Sequence, residues 1–343
     1  MKLVSFSCAG EKHLGFINQD RVFPLNRLEK RIPITMQDFL RDWDFYLNLA
    51  KQAEQKVKVS SSLLSGSFAV KEVHFEAPVP NPASLRDGYA FRQHVEAARR
   101  NRNLPMIPAF DEFPIFYFGN HQTVCGPGII ECMPDHFEKL DFELEVAIVI
   151  CKRGKNIPAG KADEYIGGLM IMNDLSARTL QIEEMQLNLG PAKGKDFSTS
   201  TGPWLLTPDE LIPFEVTPKE NHVGKSWNLK MTASVNGIQI SSGNLAEMDW
   251  TFAEIIERAS YGVDLYPGDI IGSGTVGTGC FLEVNGTARF RNSDQPEKWL
   301  QPGDEISLAV EQLGELQNIV IECEGQNEYS ILQIKKNNVR HVD

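Results

Sequence analysis

The chain has 343 residues, a net charge of −12 and a pI of about 5.2, with 42% hydrophobic and 23% charged residues. This length suits one large domain or a large domain with a smaller companion, and the composition is typical of a soluble globular protein. The negative charge disfavours nucleic acid and anionic membranes as partners, and no apolar run approaches the ~20 residues of a membrane span. The first residues lack the pattern of a signal peptide, which favours a cytoplasmic location.

The N-terminal residues predict a small β-rich unit. Short strands in a hairpin pattern are expected over KLVSFS, LGFIN and RVFPL. A helix follows, because Thr35 and Asp38 resemble a capping box and apolar residues from Met36 to Ala50 recur at helical spacing. The proline-rich segment VHFEAPVPNPAS predicts a stiff connector. We therefore place a domain boundary there, between residues 1–78 and 79–343.

The larger part predicts a mixed, mostly antiparallel β-structure with few helices. Asn236-Gly237 is a strong hairpin signal, and two Pro-Gly-Asp turns each precede an apolar strand. Helices are expected around residues 86–102, 176–188 and 249–260. Strands and helices do not alternate regularly along the sequence, so we do not expect a doubly wound sheet. We predict instead an α+β fold that is mostly β.

Cysteine and glycine patterns exclude several functions. The six cysteines are scattered without a CxxC pair or a disulfide framework, so we interpret them as reduced thiols that partly fill the core. GSGTVGTG lacks the GxGxxG spacing and a following helix, which argues against a dinucleotide site. The phosphate-binding pattern GxxxxGK[ST] is also absent from the sequence.

Two glutamates lie in an unusually apolar segment, DFELEVAIVI. This segment predicts a buried strand from Phe142 to Ile150. Side chains two residues apart point to the same face of a strand, so Glu143 and Glu145 are expected to point together. The alternative is a strand whose glutamates face solvent while Leu144 faces the core.

Two aspartates also lie beside apolar or helical patterns. Asp174 ends the run GGLMIMND, and Asp87 begins a helix-like segment. Buried carboxylates are costly unless they are paired, protonated or bound to a cation. If these groups converge with Glu143 and Glu145, their oxygen atoms favour a divalent cation, Mg²⁺ or Ca²⁺, with Mn²⁺ also suitable.

His94 is a candidate general base. A helix from about Asp87 would put His94 two turns further along the same face, near a substrate held by the cation. The alternative is a helix cap at Asp87 and a partly buried histidine. Glu283, in an expected apolar strand CFLEVNG, either orients His94 or faces outward.

Basic and amide side chains follow the acidic segments. Asp174, Arg178 and Gln181 would stack along one helix face, where Arg can clamp a carboxylate and Gln can donate to an oxyanion. The alternative is an exposed Asp174–Arg178 ion pair. Lys195, in the loop AKGKDFSTSTGPW, would stabilise enolate charge, or else belong to an ordinary polar loop.

Together these segments resemble the fumarylacetoacetate hydrolase family over roughly residues 79–325. The segments that carry the resemblance occur in the family order: RDGYAFRQHV, LDFELEVAIVI, GGLMIMNDLSARTLQ, KGKDFSTSTGPW and LYPGDIIGSGTVGTG. The resemblance implies a mixed β-sandwich roll for the catalytic domain, an SH3-like β domain for residues 1–78, and a homodimer.

The resemblance also implies residue roles. The metal ligands would be Asp87, Glu143, Glu145 and Asp174. His94 would be the general base, oriented by Glu283. The groups that hold the substrate and stabilise the oxyanion would be Arg178, Gln181 and Lys195, with Tyr89 and Thr275 as further substrate contacts. Thr199, with the Lys195 region, corresponds to a second cation site in some members.

The implied activity is hydrolysis of a carbon–carbon bond in a small anionic 1,3-diketo acid, as in aromatic amino acid catabolism. Water would be activated by His94, and the enolate would be held on the divalent cation. Met185 stands where the animal fumarylacetoacetases carry a substrate-binding tyrosine, so the substrate stays open. Two alternatives remain: a 2-oxo acid hydratase, isomerase or decarboxylase of the same superfamily, and a non-catalytic β-protein stabilised by a cation.

Overall fold

The computed structural model describes residues 1–59 and 66–325. Its N-terminal strands are β1 Lys2–Cys8, β2 Glu11–Asn18, β3 Arg21–Pro24, β4 Phe68–Ala69 and β5 His74–Phe75. Its N-terminal helices are α1 Leu25–Leu28, α2 Met36–Leu40 and α3 Trp43–Val59. The three predicted strands are confirmed, but the predicted single helix is two helices. These two helices are α2 and α3, and Thr35 caps α2 by accepting a hydrogen bond from the Asp38 amide at 3.2 Å.

The following residues form mainly short strands. The next ten are β6 Leu85–Gly88, β7 Phe116–Gly119, β8 Val124–Cys125, β9 Gly128–Cys132, β10 Leu140–Asp141, β11 Leu144–Ile150, β12 Gly154–Lys155, β13 Ile166–Asp174, β14 Ser176–Ala177 and β15 Thr199–Leu206. The last are β16 Glu215–Val216, β17 Ser226–Trp227, β18 Lys230–Val235, β19 Ile238–Asn244, β20 Asp264–Leu265, β21 Ile270–Gly272, β22 Glu305–Val310 and β23 Gly314–Glu322. The helices are α4 Arg92–Arg100, α5 Ala159–Ala162, α6 Arg178–Met185, α7 Phe252–Ser260 and α8 Phe281–Arg291.

Two large sheets organise the described part of the chain. A 12-stranded sheet has the order β4-β3-β2-β1-β15-β13-β11-β21-β6-β7, with β5 beside β1 and β8 beside β15. A five-stranded sheet has the order β19-β18-β22-β23-β9. Most pairs are antiparallel, and the parallel pairs are β15–β8, β21–β6 and β23–β9. The predicted mixed, mostly antiparallel β-structure with flanking helices is therefore confirmed.

Residue alternation along β11 gives its two faces different partners. Leu144 and Val146 belong to the core that also contains the apolar residues of the five-stranded sheet. Ala147 and Val149 belong to a second core, formed with the N-terminal helices. Glu145 shares this second face because it is two residues from Ala147. The alternation thus places acidic side chains at one end of a face that is otherwise apolar.

The N-terminal strands are hydrogen-bonded into the sheet that carries the acidic residues. β1 pairs antiparallel with β15 through Leu3 and Leu205. Trp43 and Met172 lie in the same core cluster, so the N-terminal helices also pack on the central strands. The SH3-like domain is not confirmed, and the boundary near residue 78 stays a prediction. The predicted limit at residue 343 lies outside the described residues.

Several predicted helices begin later than expected. The helix predicted at 86–102 is Arg92–Arg100, and Asp87 lies in β6, where Gly272 of β21 is its parallel partner. The helices predicted at 176–188 and 249–260 are Arg178–Met185 and Phe252–Ser260. The segment around Glu283, predicted as a strand, is the first turn of α8. Strand pairing with β21 overrides the local helical pattern at Asp87. At Glu283, the first turn of the helix has a distant acceptor, because Asp141 accepts from the Phe281 and Leu282 amides. Within the described residues, no helix combines the length and apolarity needed to traverse a bilayer.

Candidate active site

Four buried carboxylates converge at one end of the large sheet. Asp87, Glu145 and Asp174 lie in β6, β11 and β13, and Glu143 directly precedes β11. Asp87, Glu143, Glu145 and Asp174 each offer one oxygen, and these oxygens all lie within 4.8 Å of one another. All four side chains are buried. The exposed-face alternative for the glutamate pair is therefore wrong, and so is the predicted helix from Asp87. The predicted convergence of the four acids is present.

A glycine-containing turn after β21 supports this cluster. The backbone N–H of Gly274 donates to Asp87 Oδ1 at 3.1 Å and to Glu145 Oε2 at 3.2 Å. The hydroxyl of Thr275 donates to Glu145 Oε1 at 3.2 Å. Gly274 has φ +79°, a conformation that favours glycine, and a Cβ there would lie 2.6 Å from the carbonyl oxygen of Gly88. The segment GSGT thus lines the acidic cluster.

Burial raises the pKa values of three of these acids. The pKa of Asp87 is raised to about 7 by burial and by the neighbouring Asp174 carboxylate. The pKa of Glu145 is raised well above its usual value by burial and by Asp87. Burial also raises the pKa of Asp174, although the Lys195 ammonium opposes this effect. Such crowding of anions is the electrostatic pattern that a bound cation relieves.

The Lys195 ammonium lies between two of the carboxylates. Its Nζ is 2.5 Å from Glu143 Oε2 and 2.5 Å from Asp174 Oδ2. Burial opposes the ionised state of Glu143, but Lys195 and Arg178 outweigh it and lower the pKa of this carboxylate. The preceding Gly194 allows the loop to lie close to α6, because a Cβ there would lie 2.6 Å from the backbone of Gln181. Lys195 is therefore part of the site, although Ala192 and Lys193 of the same loop are exposed.

The donor set fits a hard divalent cation. Four buried carboxylate oxygens are the ligand type that Mg²⁺, Mn²⁺ and Ca²⁺ prefer. Gly272 leaves space beside them, since a Cβ there would lie 2.4 Å from Asp87 Oδ1 and 3.1 Å from Glu145 Oε2. Asp87, Glu143, Glu145 and Asp174 are thus the residues that would hold such an ion. Oxygen ligands do not select among the three cations.

Arg178 is enclosed by anions rather than exposed to a substrate. Its Nε and Nη2 lie 2.9 and 2.8 Å from Asp141 Oδ2, and its Nη2 lies 2.7 Å from Glu143 Oε1. Its Nη1 donates to Gln181 Oε1 at 2.9 Å. The predicted stack with Asp174 on one helix face is wrong, because Asp174 lies in β13 and Arg178 begins α6. The contact with Gln181 occupies the carbonyl end of that amide and leaves its NH₂ end as the donor.

His94 and Glu283 form a buried pair beside the cluster. Nδ1 of His94 lies 2.7 Å from Glu283 Oε2, and both side chains are buried. A nitrogen of His94, a Glu143 oxygen and Cys280 Sγ lie within 4.8 Å of one another, which puts the imidazole next to the carboxylates. The pairing implied by the resemblance is present, although α4 and α8 supply it instead of a helix from Asp87 and a strand.

Other predicted contacts lie around this pair. The Tyr89 ring packs edge-on against the His94 imidazole, with centroids 5.9 Å apart, and burial raises the pKa of its hydroxyl to about 12. Thr199 Oγ1 lies 3.4 Å from Asp174 Oδ1. A charged Lys195 cannot ligate a cation, so the second cation site stays a prediction. Met185 is exposed at the end of α6.

Three residues of the site were missed by sequence reasoning. Asp141 accepts hydrogen bonds from Arg178, Phe281 and Leu282. Tyr117 donates to Asp174 Oδ2, and Cys280 lies near His94. The signal for Asp141 was available, because it continues the two-residue alternation of Glu143 and Glu145 in DFELE. Tyr117 and Cys280 carry no comparable local signal.

The fold and the acidic site define an enzyme with a centre suited to a divalent cation. The profile described as fumarylacetoacetate (FAA) hydrolase C-terminal matches residues 84–321. This chain belongs to that family. A solved structure from Exiguobacterium antarcticum, titled fumarylacetoacetate hydrolase (EaFAH), has a TM-score of 0.66 and 20% identity, and covers 94% of this chain and 100% of that one. At this identity, the similarity shows the fold alone.

Curated relatives carry more than one activity in their names. Oxaloacetate tautomerase YisK of Bacillus subtilis is 28% identical over 88% of this chain and 93% of its own. Mitochondrial oxaloacetate tautomerase FAHD2A of Bos taurus is 32% identical over 94% of this chain and 92% of its own. A fumarylacetoacetase of Oryza sativa is 32% identical over 64% of this chain and 61% of its own. The family includes tautomerases and hydrolases, so membership does not fix the reaction.

Proposed function

We propose that this protein is a cation-dependent hydrolase that cleaves a carbon–carbon bond in a small 1,3-diketo acid. The observation that carries the proposal is the buried His94–Glu283 pair, 2.7 Å apart, beside the carboxylate cluster. An imidazole held at one nitrogen by a carboxylate is suited to accept a proton at the other. Hydrolysis needs such a base to activate water.

The cation, when bound, would act as a Lewis acid and template for the 2-oxo acid end of the substrate. Its ligands would be Asp87, Glu143, Glu145 and Asp174. The buried Lys195 ammonium adds positive charge close to this place, 2.5 Å from both Glu143 and Asp174. This charge suits the stabilisation of an enolate or oxyanion better than the binding of a neutral substrate.

The protein residues would divide the reaction as follows. His94 takes a proton from water, and the resulting hydroxide adds to the carbonyl carbon remote from the carboxylate. Lys195 and the NH₂ group of Gln181 donate to the oxyanion. The carbon–carbon bond then breaks, its electron pair stays on the enolate carbon, and His94 returns the proton to that carbon. For an acylpyruvate, the products are a carboxylic acid and a 2-oxo acid, and for fumarylacetoacetate they are a carboxylic acid and a 3-oxo acid.

Arg178 is better suited to hold other residues than to clamp the substrate carboxylate. Its guanidinium is engaged by Asp141, Glu143 and Gln181, and its side chain is 2% exposed. We therefore propose that Arg178 fixes Glu143 and orients the Gln181 amide. Its charge still contributes to the field at the oxyanion.

The test is turnover of acetylpyruvate, fumarylpyruvate, fumarylacetoacetate and oxaloacetate, with Mg²⁺, Mn²⁺ or Ca²⁺ and with EDTA. We expect His94→Asn to lower kcat for diketo acid cleavage by about 100-fold or more, a typical loss for a general base. His74→Asn changes an exposed histidine of β5 and serves as the matched control. Full hydrolysis by the His94 variant, or EDTA-resistant hydrolysis, would contradict the proposal.

The second candidate is tautomerisation or decarboxylation of a 2-oxo diacid such as oxaloacetate. It is supported by the names of the relatives that match about nine tenths of this chain. These reactions use the same cation but need no activated water, so the His94 variant should retain them largely intact. An enzyme that converts oxaloacetate between its enol and keto forms but cleaves no diketo acid would favour this candidate.

The non-catalytic reading and the oligomeric state are tested separately. A protein that is merely stapled by a cation would melt at higher temperature with the cation but would not bind oxalate, a mimic of the 2-oxo acid end, any better in its presence. Calorimetry with oxalate, with and without Mg²⁺, separates the two. We further propose a homodimer, which sedimentation velocity would detect as a species near twice the 38.5 kDa chain mass.

A further inference from the structure

We propose that Asp141 is a positioning residue that sets the His94–Glu283 pair by holding the first turn of α8. The Asp141 carboxylate accepts hydrogen bonds from Arg178 and from backbone amides rather than from the His94 side chain, so it would act through the helix. The proposal rests on the proposed function for its kinetic readout only. Its structural readout, described below, is independent of any activity.

The Asp141 carboxylate replaces a missing local cap. The first N–H groups of a helix have no acceptor within the helix and need one from elsewhere. Cys280, the residue before α8, makes no side-chain cap. Instead, Asp141 Oδ1 accepts from the Phe281 amide at 2.7 Å, and Asp141 Oδ2 accepts from the Leu282 amide at 3.0 Å. An anion at this end also favours the helix dipole.

The turn held in this way carries Glu283. Glu283 is the third residue of α8, and its carboxylate lies 2.7 Å from His94 Nδ1. A loosened first turn would move Glu283 relative to His94, which lies on a different helix, α4. The orientation of the imidazole therefore depends on an anchor outside both helices.

The same carboxylate is tied to the cation side of the site. Asp141 Oδ2 accepts from Arg178 Nε at 2.9 Å, and Arg178 Nη2 donates to Glu143 Oε1 at 2.7 Å. Asp141 is fully buried, and its own backbone lies in β10 beside β14. The Asp141 side chain thus contacts two parts of the site. It binds Arg178, which donates to Glu143, and it holds the first turn of α8, which carries Glu283. A different reading is that Asp141 only neutralises Arg178.

A double-mutant cycle separates the two readings. We expect Asp141→Asn to lower kcat for diketo acid cleavage by about 10- to 100-fold, as for other residues that orient a reacting group, with KM changed less than about threefold. If Asp141 acts through Glu283, Asp141→Asn combined with Glu283→Gln should be no slower than Glu283→Gln alone. Losses that multiply would overturn the proposal.

Hydrogen exchange gives the readout that needs no substrate. In Asp141→Asn, at least one of the Phe281 and Leu282 amides should exchange about tenfold faster or more, because asparagine offers one acceptor oxygen to two N–H groups and carries no negative charge, while α7 is unchanged. Asp269→Asn is the matched control, since Asp269 is also a buried carboxylate that accepts a backbone N–H, from Tyr266 at 2.9 Å. It should leave α8 exchange unaltered.

Each outcome decides a separate question. Unchanged exchange at α8 in the Asp141 variant would overturn the proposal whether or not the protein cleaves diketo acids. Faster exchange in a protein that cleaves none would refute the proposed function and retain the role of Asp141 as the α8 anchor. If Asp141→Asn does not fold, Asp141→Ser, which shortens the side chain and removes the charge without adding an NH₂ donor, is measured in the same two ways.

Discussion

Gly272 lies where three side chains of the site meet. A Cβ at this position would be 2.3 Å from the Met172 methyl, 2.4 Å from Asp87 Oδ1 and 3.1 Å from Glu145 Oε2. The methyl can move, because it ends a flexible side chain. The carboxylates cannot move without changing the positions of their oxygens. The space that glycine leaves is thus part of the geometry of the acidic cluster.

We therefore expect Gly272→Ala to weaken Mn²⁺ binding by about 10-fold or more, the scale seen when the support of metal ligands is disturbed. Isothermal titration calorimetry measures the affinity. Gly160→Ala is the control, since a Cβ there meets nothing within 4 Å. Equal Mn²⁺ affinity in both variants would contradict the assignment of Asp87 and Glu145 as ligands.

His136 is a buried histidine outside the acidic cluster. Its Nδ1 accepts from the Met133 amide at 3.3 Å, and its ring lies 4.3 Å from that of Phe197. Burial lowers its pKa, and the nearby Lys193 acts in the same direction, while Asp135 opposes it. The folded protein therefore favours the neutral imidazole.

This lowered pKa makes stability depend on pH. The stabilisation is complete above the unfolded value, about 6.5, and is lost as the pH falls from there through the lower folded value. We expect His136→Gln to reduce the pH dependence of the unfolding free energy below about pH 6.5. Chemical denaturation at several pH values, with the wild type as reference, measures the difference. Parallel profiles would show that His136 titrates alike in both states.

At the scale of the element, α7 is a helix whose start is fixed by its own sequence. The Thr251 hydroxyl accepts from the Glu254 amide at 3.2 Å, and Glu254 accepts from the Thr251 amide at 2.9 Å. This reciprocal pair is a capping box. The helix it begins buries Ile255 and Ile256 in the core between the two sheets.

Loss of this cap should lower stability and leave catalysis alone. We expect Thr251→Ala to reduce the unfolding free energy by about 1 kcal/mol, because the first-turn amide loses its acceptor. Thr217→Ala alters an exposed threonine and is the matched control. Urea denaturation measures both variants. A change of less than a few tenths of a kcal/mol in Thr251→Ala would show that the cap contributes little here.

The contrast between α7 and α8 explains one wrong expectation. α7 carries a cap that can be read in the sequence, whereas the acceptor for α8 is Asp141, 140 residues before Phe281. The apolar residues of CFLEVNG suit a strand or a helix equally, because short apolar runs do not distinguish the two. The helix around Glu283 therefore depends on a contact that local pattern does not reveal.

At the scale of the whole molecule, residues 1–78 complete the large sheet. β1 pairs with β15, and Trp43 lies in one core cluster with Met170 and Met172. Removal of these residues would expose the apolar face of the central strands to water. A burial of this kind is a dominant source of stability.

We expect a fragment that starts at residue 79 to lose cooperative thermal unfolding and Mn²⁺ binding, as followed by circular dichroism and calorimetry. The full chain is the reference. A soluble fragment with a single sharp transition and unchanged Mn²⁺ affinity would instead support an independent catalytic domain and the boundary near residue 78. The result would show whether the part of the chain after residue 78 folds without the N-terminal strands that share its sheet.

The candidate site shows how far sequence reasoning reaches. The two-residue spacing of Glu143 and Glu145 correctly predicted a shared strand face, because strand geometry is local. The helix from Asp87 was wrong, since pairing of β6 with β21 outweighs the helical pattern there. The place of Lys195 between two carboxylates was not readable from its loop.

The sequence alone indicated the family, predicted which four acidic residues converge, and predicted that the ligands of a cation would be oxygen atoms. These features depend on residue type, on the order of the segments and on short spacings. Only the tertiary structure decided that Glu283 starts a helix, that Asp141 holds it, and that Arg178 faces inward. The reason is that such contacts join residues far apart in the chain. Their free energy comes from burial and charge pairing in the folded state, which periodicity does not record.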